Sequence, residues 1–280
     1  MFPPEIFSEI FCFLASEPRV LIACGQAHPI FARLIEPILY AHVIVHKYDS
    51  DADPEDGHHL NLKLKPDQLS MLLYDNPRII NYLRSLCVDI SQFDFDDDQA
   101  TKELIPILPG LKLERIQVSR TPTGFVSWEW FPRAFRTALV ACISTSFMKE
   151  ICLDGTCNVP LSSFADCAGL KRLTLSYNAV PPSNMTCNFP HLEALELFDW
   201  NIVGHSQDFF SWARTHACGL RSLTLTTSIK DIIRGFLPSL LAICSTSLVD
   251  LSIYYINFSE YIYPVTRVVL TLSYYSVPEL

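Results

Sequence analysis

The chain of 280 residues is poor in glycine, with 9 in all, and none of them forms a glycine-rich phosphate loop. A nucleotide-binding loop needs glycines where the backbone closes on a phosphate, so that class is not expected. No apolar run reaches the roughly 18–20 residues of a membrane span. Basic residues are outnumbered, 21 against 30 acidic, and the formal charge is −9. A nucleic-acid backbone needs a basic face, so no nucleic-acid partner is expected. The first residues carry no positive charge and no small-residue cleavage site, so no secretory leader is expected there. Also missing are a CxxC pair and a G-x-S-x-G elbow.

Ten cysteines are present. Cys12, Cys87, Cys142, Cys152 and Cys244 sit inside apolar periodic stretches, which reads as small buried hydrophobes in a reducing compartment. The expectation is ten free thiols. Asn184-Met-Thr and Asn257-Phe-Ser match the glycosylation pattern, and without a leader both are read as chance. Hydrophobic residues make up 49% of the chain, which excludes a disordered polypeptide and allows two domains.

The N-terminus reads "MFPPEIFSEIFCFLASEP". On a helix from Glu5 to Leu14, Ile6, Phe7, Ile10, Phe11, Phe13 and Leu14 fill an arc about 160° wide, where a core alone requires about 100°. Pro3 and Pro4 suit a helix start, because a first-turn proline loses no internal hydrogen bond. Val20, Leu21, Ile22 and Cys24 suggest a second short helix. Pro29 opens a third carrying Ile30, Phe31, Leu34 and Ile35, which Pro37 is expected to end or kink. Three short helices bury too little surface to stand alone, so the unit needs something to pack on. The arc is predicted to divide into an edge of Ile6, Ile10 and Phe13 and an edge of Phe7, Phe11 and Leu14. Helix angle alone leaves open which edge faces inward.

Beyond a strand-like run at residues 42–46 and an acidic segment at 49–59, the pattern L-x-x-L-x-L recurs with conservative replacements. It starts at Leu83, Leu113, Met148, Leu170, Leu192, Leu220 and Leu248. The last four intervals fall within the 20–29 residues of leucine-rich repeats. Helix-like segments lie between, at residues 66–74, 99–108, 132–144, 205–217 and 230–244. Strand and helix alternation favours a parallel sheet. The reading is α/β, with a leucine-rich-repeat-like solenoid of parallel strands alternating with helices; the alternative is an ordinary α/β domain with a leucine-rich sheet. "TRVVLTLSYYSVPEL" looks like an eighth strand without the polar cap that a terminal repeat carries. Either the chain is truncated or that end closes in trans.

Candidates for chemistry are weak. His205-Ser206-x-Asp208 has the residue types of a hydrolytic triad, but neighbours this close rarely meet triad geometry. Ser206 and Asp208 read better as a helix start. His58-His59 and the acidic run Phe93–Asp98 read as solvated loops. Cys152, Cys157 and Cys167 lack zinc spacing. No catalytic residue, cofactor site or metal site is named, and no enzyme is expected. In "GFVSWEWFP", a period of two would put Val126, Trp128 and Trp130 on one face. That face either covers the core or binds a partner, since tryptophan is enriched at hot spots.

The first 42 residues resemble an F-box. The matching positions are Pro3, Glu5, Ile6, Ile10, Phe11, Phe13, Leu14, Leu21, Cys24, Phe31, Leu34 and Tyr40. Phe2 stands where a leucine is usual, and Gln26-Ala27-His28-Pro29 departs from the usual Val-x-(Arg/Lys)-x. "LLYDNPRIINYLRSLCVDI", Leu72 to Ile90, is similar to the stretch between F-box and repeats in many fungal F-box proteins. The resemblance implies a three-helix F-box at residues 1–42, a connecting region at 43–82 and a repeat region at 83–280. It implies a Skp-type adaptor as partner, and through it a cullin in an SCF-type ubiquitin ligase. A substrate protein would sit on the repeats, with Trp128 and Trp130 as candidate contacts, in the cytoplasm, the nucleus or both. The implied adaptor-binding residues are Pro3, Pro4, Ile6, Phe7, Ile10 and Phe11 on the first helix, continuing with Leu14, Leu21, Cys24, Phe31 and Leu34. The rival reading is a non-enzymatic leucine-rich scaffold whose N-terminal helices only cap the solenoid.

Overall fold

The computed structural model describes residues 3–46, 62–90, 99–119, 126–164, 167–176, 192–198, 214, 219–227, 238–244, 246–255 and 266–271. The chain divides into two compact units: Met1–Thr121 with Pro132–Cys142, and Pro122–Phe131 with Ile143–Leu280. That division falls inside the stretch read as one repeat region.

The first unit begins with α1 (Pro4–Phe13), a 3-10 turn at Leu14–Ser16, α2 (Pro18–Ala27) and α3 (Pro29–Leu39). Each helix opens on a proline, whose missing N–H would have had no intrahelical acceptor in the first turn. His28 caps α3: its Nδ1 accepts from the Ile30 N–H at 3.1 Å. Pro37 does not end α3. The helix runs on to Leu39, and Tyr40 N–H donates to the Glu36 carbonyl at 3.0 Å. A proline this near the C-terminus removes one ladder bond and leaves the final turn intact.

One buried residue from each helix makes the core of this region: Phe11, Leu21 and Ile35. Phe7, Leu14, Cys24, Phe31, Leu34, Ile38 and Leu39 pack around them. The rings of Phe7, Phe11 and Phe31 meet with centroids 4.9–6.3 Å apart, in the range of favourable aromatic pairs.

After α3 come β1 (His42–Val45), β2 (Leu62–Leu64), α4 (Pro66–Asp75), β3 (Ser85–Asp89), α5 (Gln99–Leu104) and β4 (Arg115–Ser119). Helix α6 (Arg133–Ile143) belongs to this unit apart from its last residue. The strands lie in the order β2-β1-β3-β4, all parallel. Alternate positions Val43 and Val45, Leu86 and Val88, and Ile116 and Val118 are buried, the period-two signature of a strand with one face on a core. Leu69 and Leu73 of α4 and Phe135, Leu139 and Cys142 of α6 are buried as well.

The second unit holds β5 (Val126–Ser127) and β7 (Thr156–Cys157), a parallel two-stranded ribbon. Its main sheet runs β6 (Glu150–Leu153), β8 (Arg172–Ser176), β9 (Ala194–Phe198), β10 (Ser222–Thr227), β11 (Asp250–Tyr255), β12 (Thr266–Thr271). All pairs are parallel except β11 with β12. The second position of each predicted repeat falls in one register row, Ile151↔Leu173↔Leu195↔Leu223↔Leu251, and the third in another, Leu153↔Leu175↔Leu197↔Leu225↔Ile253. The first position (Met148, Leu170, Leu192, Leu220, Leu248) is buried just before each strand.

A backbone motif accompanies this pattern in each unit. One carbonyl before a strand accepts from two consecutive N–H groups of the next strand's approach: Ala41 from Arg84 and Ser85, Arg84 from Glu114 and Arg115. Lys149, Lys171, Glu193 and Arg221 do the same in the second unit, all at 2.8–3.0 Å. Gly169 lies where a side chain cannot: a Cβ there would stand 2.7 Å from the Ser146 carbonyl oxygen and 2.9 Å from that of Met148.

The architecture shown is therefore α/β with parallel sheets, and not a solenoid. The segments that return the chain between strands are unequal: α5 has six residues, α6 eleven, and Leu161–Phe164 is a four-residue 3-10 turn. Alternating strands alone set a sheet, while a solenoid also needs a recurring return element. Among the described residues, no helix is long and apolar enough to cross a membrane.

The eight cysteines among the described residues are free thiols. Cys187 and Cys218 lie outside those residues, as do both Asn-x-Ser/Thr matches. Cys12, expected in a core, is exposed, because it sits on the polar side of α1 with Glu5 and Glu9. Burial pushes the Cys142 thiol up to about 12. The thiolate is the reactive form. Among the described cysteines, iodoacetamide at neutral pH is therefore expected to label Cys12 first and Cys142, Cys167 and Cys244 only after unfolding. Mass spectrometry of timed samples checks the order, and early labelling of Cys142 would contradict the packing of α6.

Candidate functional site: an apolar surface on the N-terminal helices

Six of the eleven large apolar side chains exposed among the described residues lie within residues 6–30, so this region concentrates solvent-facing apolar surface. On α1 they are Ile6, Ile10 and Phe13, at 41%, 46% and 88% exposure. Their spacing, i, i+4, i+7, puts them on one stripe. Phe11, one residue from Ile10, is 3% exposed, and Phe7 and Leu14 pack against it. The wide arc of α1 thus divides as its helix angles predict: the Phe7–Phe11–Leu14 edge faces α2 and α3, and the Ile6–Ile10–Phe13 edge faces solvent. Val20 and Ile22 flank buried Leu21 on α2, and Ile30 begins α3; all three are exposed. Glu5, Glu9, Glu17 and Arg19 are exposed around them.

The surface is held to the sheet of the same unit. Helix α3 runs almost directly into β1. Arg78 Nη2 donates to Glu36 Oε1 at 2.7 Å, while Glu36 Oε2 is buried without a hydrogen-bond partner. Burial raises the Tyr40 hydroxyl above its ordinary value, with the Glu36 carboxylate adding to the rise and Arg78 opposing it.

The positions expected to contact an adaptor therefore separate. Pro3, Pro4, Ile6 and Ile10 are exposed; Phe7, Leu14, Cys24, Phe31 and Leu34 are half-buried in the three-helix core. Phe11 and Leu21 are core residues, closed to a partner in this conformation. The sequence-based contact set omits Phe13, Val20, Ile22 and Ile30. For Phe13 the signal was present, since it continues the Ile6–Ile10 stripe; Val20 and Ile22 carry no such pattern.

The tryptophans do not share a face. Trp128–Trp130 is a 3-10 turn rather than a strand, and two residues of a three-per-turn helix point far apart. Trp128 is 4% exposed and packs edge-on to Phe131 at 5.8 Å, while Trp130 is 66% exposed. Trp130→Ala is expected to leave stability within about 0.5 kcal/mol and Trp128→Ala to cost about 3–5 kcal/mol. Thermal denaturation of the two variants checks this, and equal losses would contradict the turn.

His58, His59, His205, Ser206, Asp208 and the Phe93–Asp98 run lie outside the described residues. Among the described residues no group of three or more His, Cys, Asp or Glu could hold a metal ion. Compared with protein families, curated proteins and solved structures, the chain matches none.

Proposed function

We propose that this chain is the substrate-recognition subunit of an SCF-type ubiquitin ligase. Its N-terminal three-helix region, read as an F-box, docks on a Skp-type adaptor and through it on a cullin. The leucine-rich-repeat-like sheets hold a substrate protein. The chain itself does no chemistry; it raises the local concentration of substrate beside a charged ubiquitin-conjugating enzyme, a proximity effect. It acts in the cytoplasm, the nucleus or both.

The observation that supports this reading most is the division of α1. A helix that only caps a sheet buries its apolar stripe and has no use for a second. Here Phe7, Phe11 and Leu14 complete the core, yet Ile6, Ile10 and Phe13 remain exposed, as do Ile22 and Ile30 on the other two helices. An apolar surface of this kind marks an interaction site.

Capture of a purified Skp-type adaptor by the full-length chain tests it. The wild-type chain is expected to retain the adaptor in gel filtration at about 1–10 μM of each protein, a modest demand for a specific interface. The double variant Ile10→Asp, Phe13→Asp is expected to lose it, because two carboxylates would be desolvated at the interface. Failure of the wild-type chain to capture the adaptor, or capture by the double variant, leaves the helices as a cap.

A further inference from the structure

The backbone motif that lines up the strands of the second unit also lines up a row of side chains. Lys149, Lys171, Glu193, Arg221 and Val249 each stand immediately before a strand, in equivalent positions of that motif. All five are exposed. The first residues of the same strands, Glu150, Arg172, Ala194, Ser222 and Asp250, form a second row in register with one another.

Charge is shared unevenly along this rim. The approaches and starts of β8, β9 and β10 carry three cations, Lys171, Arg172 and Arg221, and one carboxylate, Glu193. Lys149 and Glu150 offset each other at β6, and Val249 and Asp250 close the patch at β11. Lys171 Nζ donates to Glu193 Oε1 at 2.7 Å. That hydrogen bond and the Lys171 charge hold the Glu193 carboxyl below its ordinary value, and Arg221 and Arg172 add to the effect. The single carboxylate is thus engaged by Lys171 and lies within the field of both arginines. Among the described residues, neither guanidinium makes a hydrogen bond or an ion pair of its own. With three cations against one carboxylate, the rim is locally cationic in a chain of net charge −9.

We propose that this rim docks an extended acidic segment of another protein, whose carboxylates take the guanidinium groups of Arg172 and Arg221. The proposal rests on the reading of the sheets as the part that holds a substrate, and it gives that substrate a chemistry. A guanidinium presents its donors in a planar fork that matches a carboxylate two bonds at a time. Neighbouring strands lie about 4.8 Å apart, so these two arginines, two strands and one residue apart, are separated by about 10 Å at the backbone. An extended chain rises about 3.3 Å per residue, so a run of four acidic residues reaches both, whichever way its side chains alternate. One exposed ion pair contributes little, which is why a run is needed and a lone Asp or Glu does not suffice. A nucleic-acid backbone fits less well. Its charge continues past the patch in both directions, where it meets Glu150 and Asp250 and the negative field of the whole chain.

Two extended peptides of about 12 residues test it, alike except that one carries four consecutive Glu where the other carries Gln. Fluorescence anisotropy with the full-length chain is expected to show the Glu peptide binding at least about tenfold more tightly, a difference that shrinks with added salt. The double variant Arg172→Glu, Arg221→Glu is expected to lose that preference. A control of equal charge change on the first unit, Arg33→Glu with Lys63→Glu, is expected to keep it. All four positions are exposed, so circular dichroism should show a wild-type fold. No binding of the Glu peptide below about 1 mM, or equal binding of both peptides, overturns the proposal. So does equal loss in the control, which would make the effect one of net charge, and so does an oligonucleotide of four phosphates binding as tightly as the Glu peptide. Adaptor capture, measured on the wild-type chain and the double variant alongside, separates the two readings: captured adaptor without peptide preference strikes this inference alone, and peptide preference without captured adaptor strikes the ligase reading alone.

Discussion

Replacing Leu195 by alanine is expected to destabilise the chain by about 2–5 kcal/mol, the range for a leucine truncated in a core that cannot collapse around the gap. Leu195 is 1% exposed. It sits on β9 in register with Leu173 on one side and Leu223 on the other, and both of these are buried. A strand held between two neighbours cannot shift to refill the space without breaking its own ladder. Arg172→Ala, an exposed position on adjacent β8, is expected to change stability by less than about 0.5 kcal/mol. Urea midpoints at unchanged slope measure both effects. A loss below about 1 kcal/mol for Leu195→Ala would mean that the row is not a packed ladder.

That row was legible in the sequence for a simple reason. In L-x-x-L-x-L the second and third leucines are two apart, so a strand sends both to one face. The first lies at the approach, where the chain turns under the sheet. Within each unit the copies in neighbouring parallel strands then stack like on like, two in the first and five in the second, whatever lies between them. The returns between strands were not legible in the same way. A helix, a 3-10 turn and an irregular loop can each carry a few apolar residues, and choosing among them depends on how much space the neighbouring strands leave. The stretch 99–108 shows this: helix α5 stops at Leu104, and Leu108–Gly110 is a separate 3-10 turn around Pro109. Strand β2 is not legible in the sequence, because three residues, Leu62 to Leu64, are too few to show a period. The Trp128–Trp130 pair failed for a related reason, since alternation over three residues is equally compatible with a strand and with a 3-10 turn. The α1 arc was partly legible. Its angles showed two edges, but which edge faced inward was fixed by where α2 and α3 bring Leu21 and Ile35, information that α1 does not contain.

The two edges of α1 are expected to fail in different ways. Phe11 is 3% exposed, contacts the ring of Phe31 at 5.5 Å and completes a core with Leu21 and Ile35. Phe11→Ala should therefore cost about 3–5 kcal/mol and lower the melting temperature of the N-terminal region. Three short helices have few other buried apolar groups to offset that loss. Ile10 is 46% exposed and points away from that core. Ile10→Ala should leave the melting temperature nearly unchanged, since exposed substitutions outside special features stay within about 0.5 kcal/mol. Its effect belongs to binding: if Ile10 is a hot spot, adaptor affinity falls by about 2 kcal/mol, some thirtyfold. Differential scanning calorimetry and titration of adaptor against each variant, with affinity expressed per folded molecule, separate the two. If Ile10→Ala melts early, the assignment of edges is wrong. If neither variant alters capture per folded molecule, the exposed edge is not the contact surface, and the helices serve the fold alone.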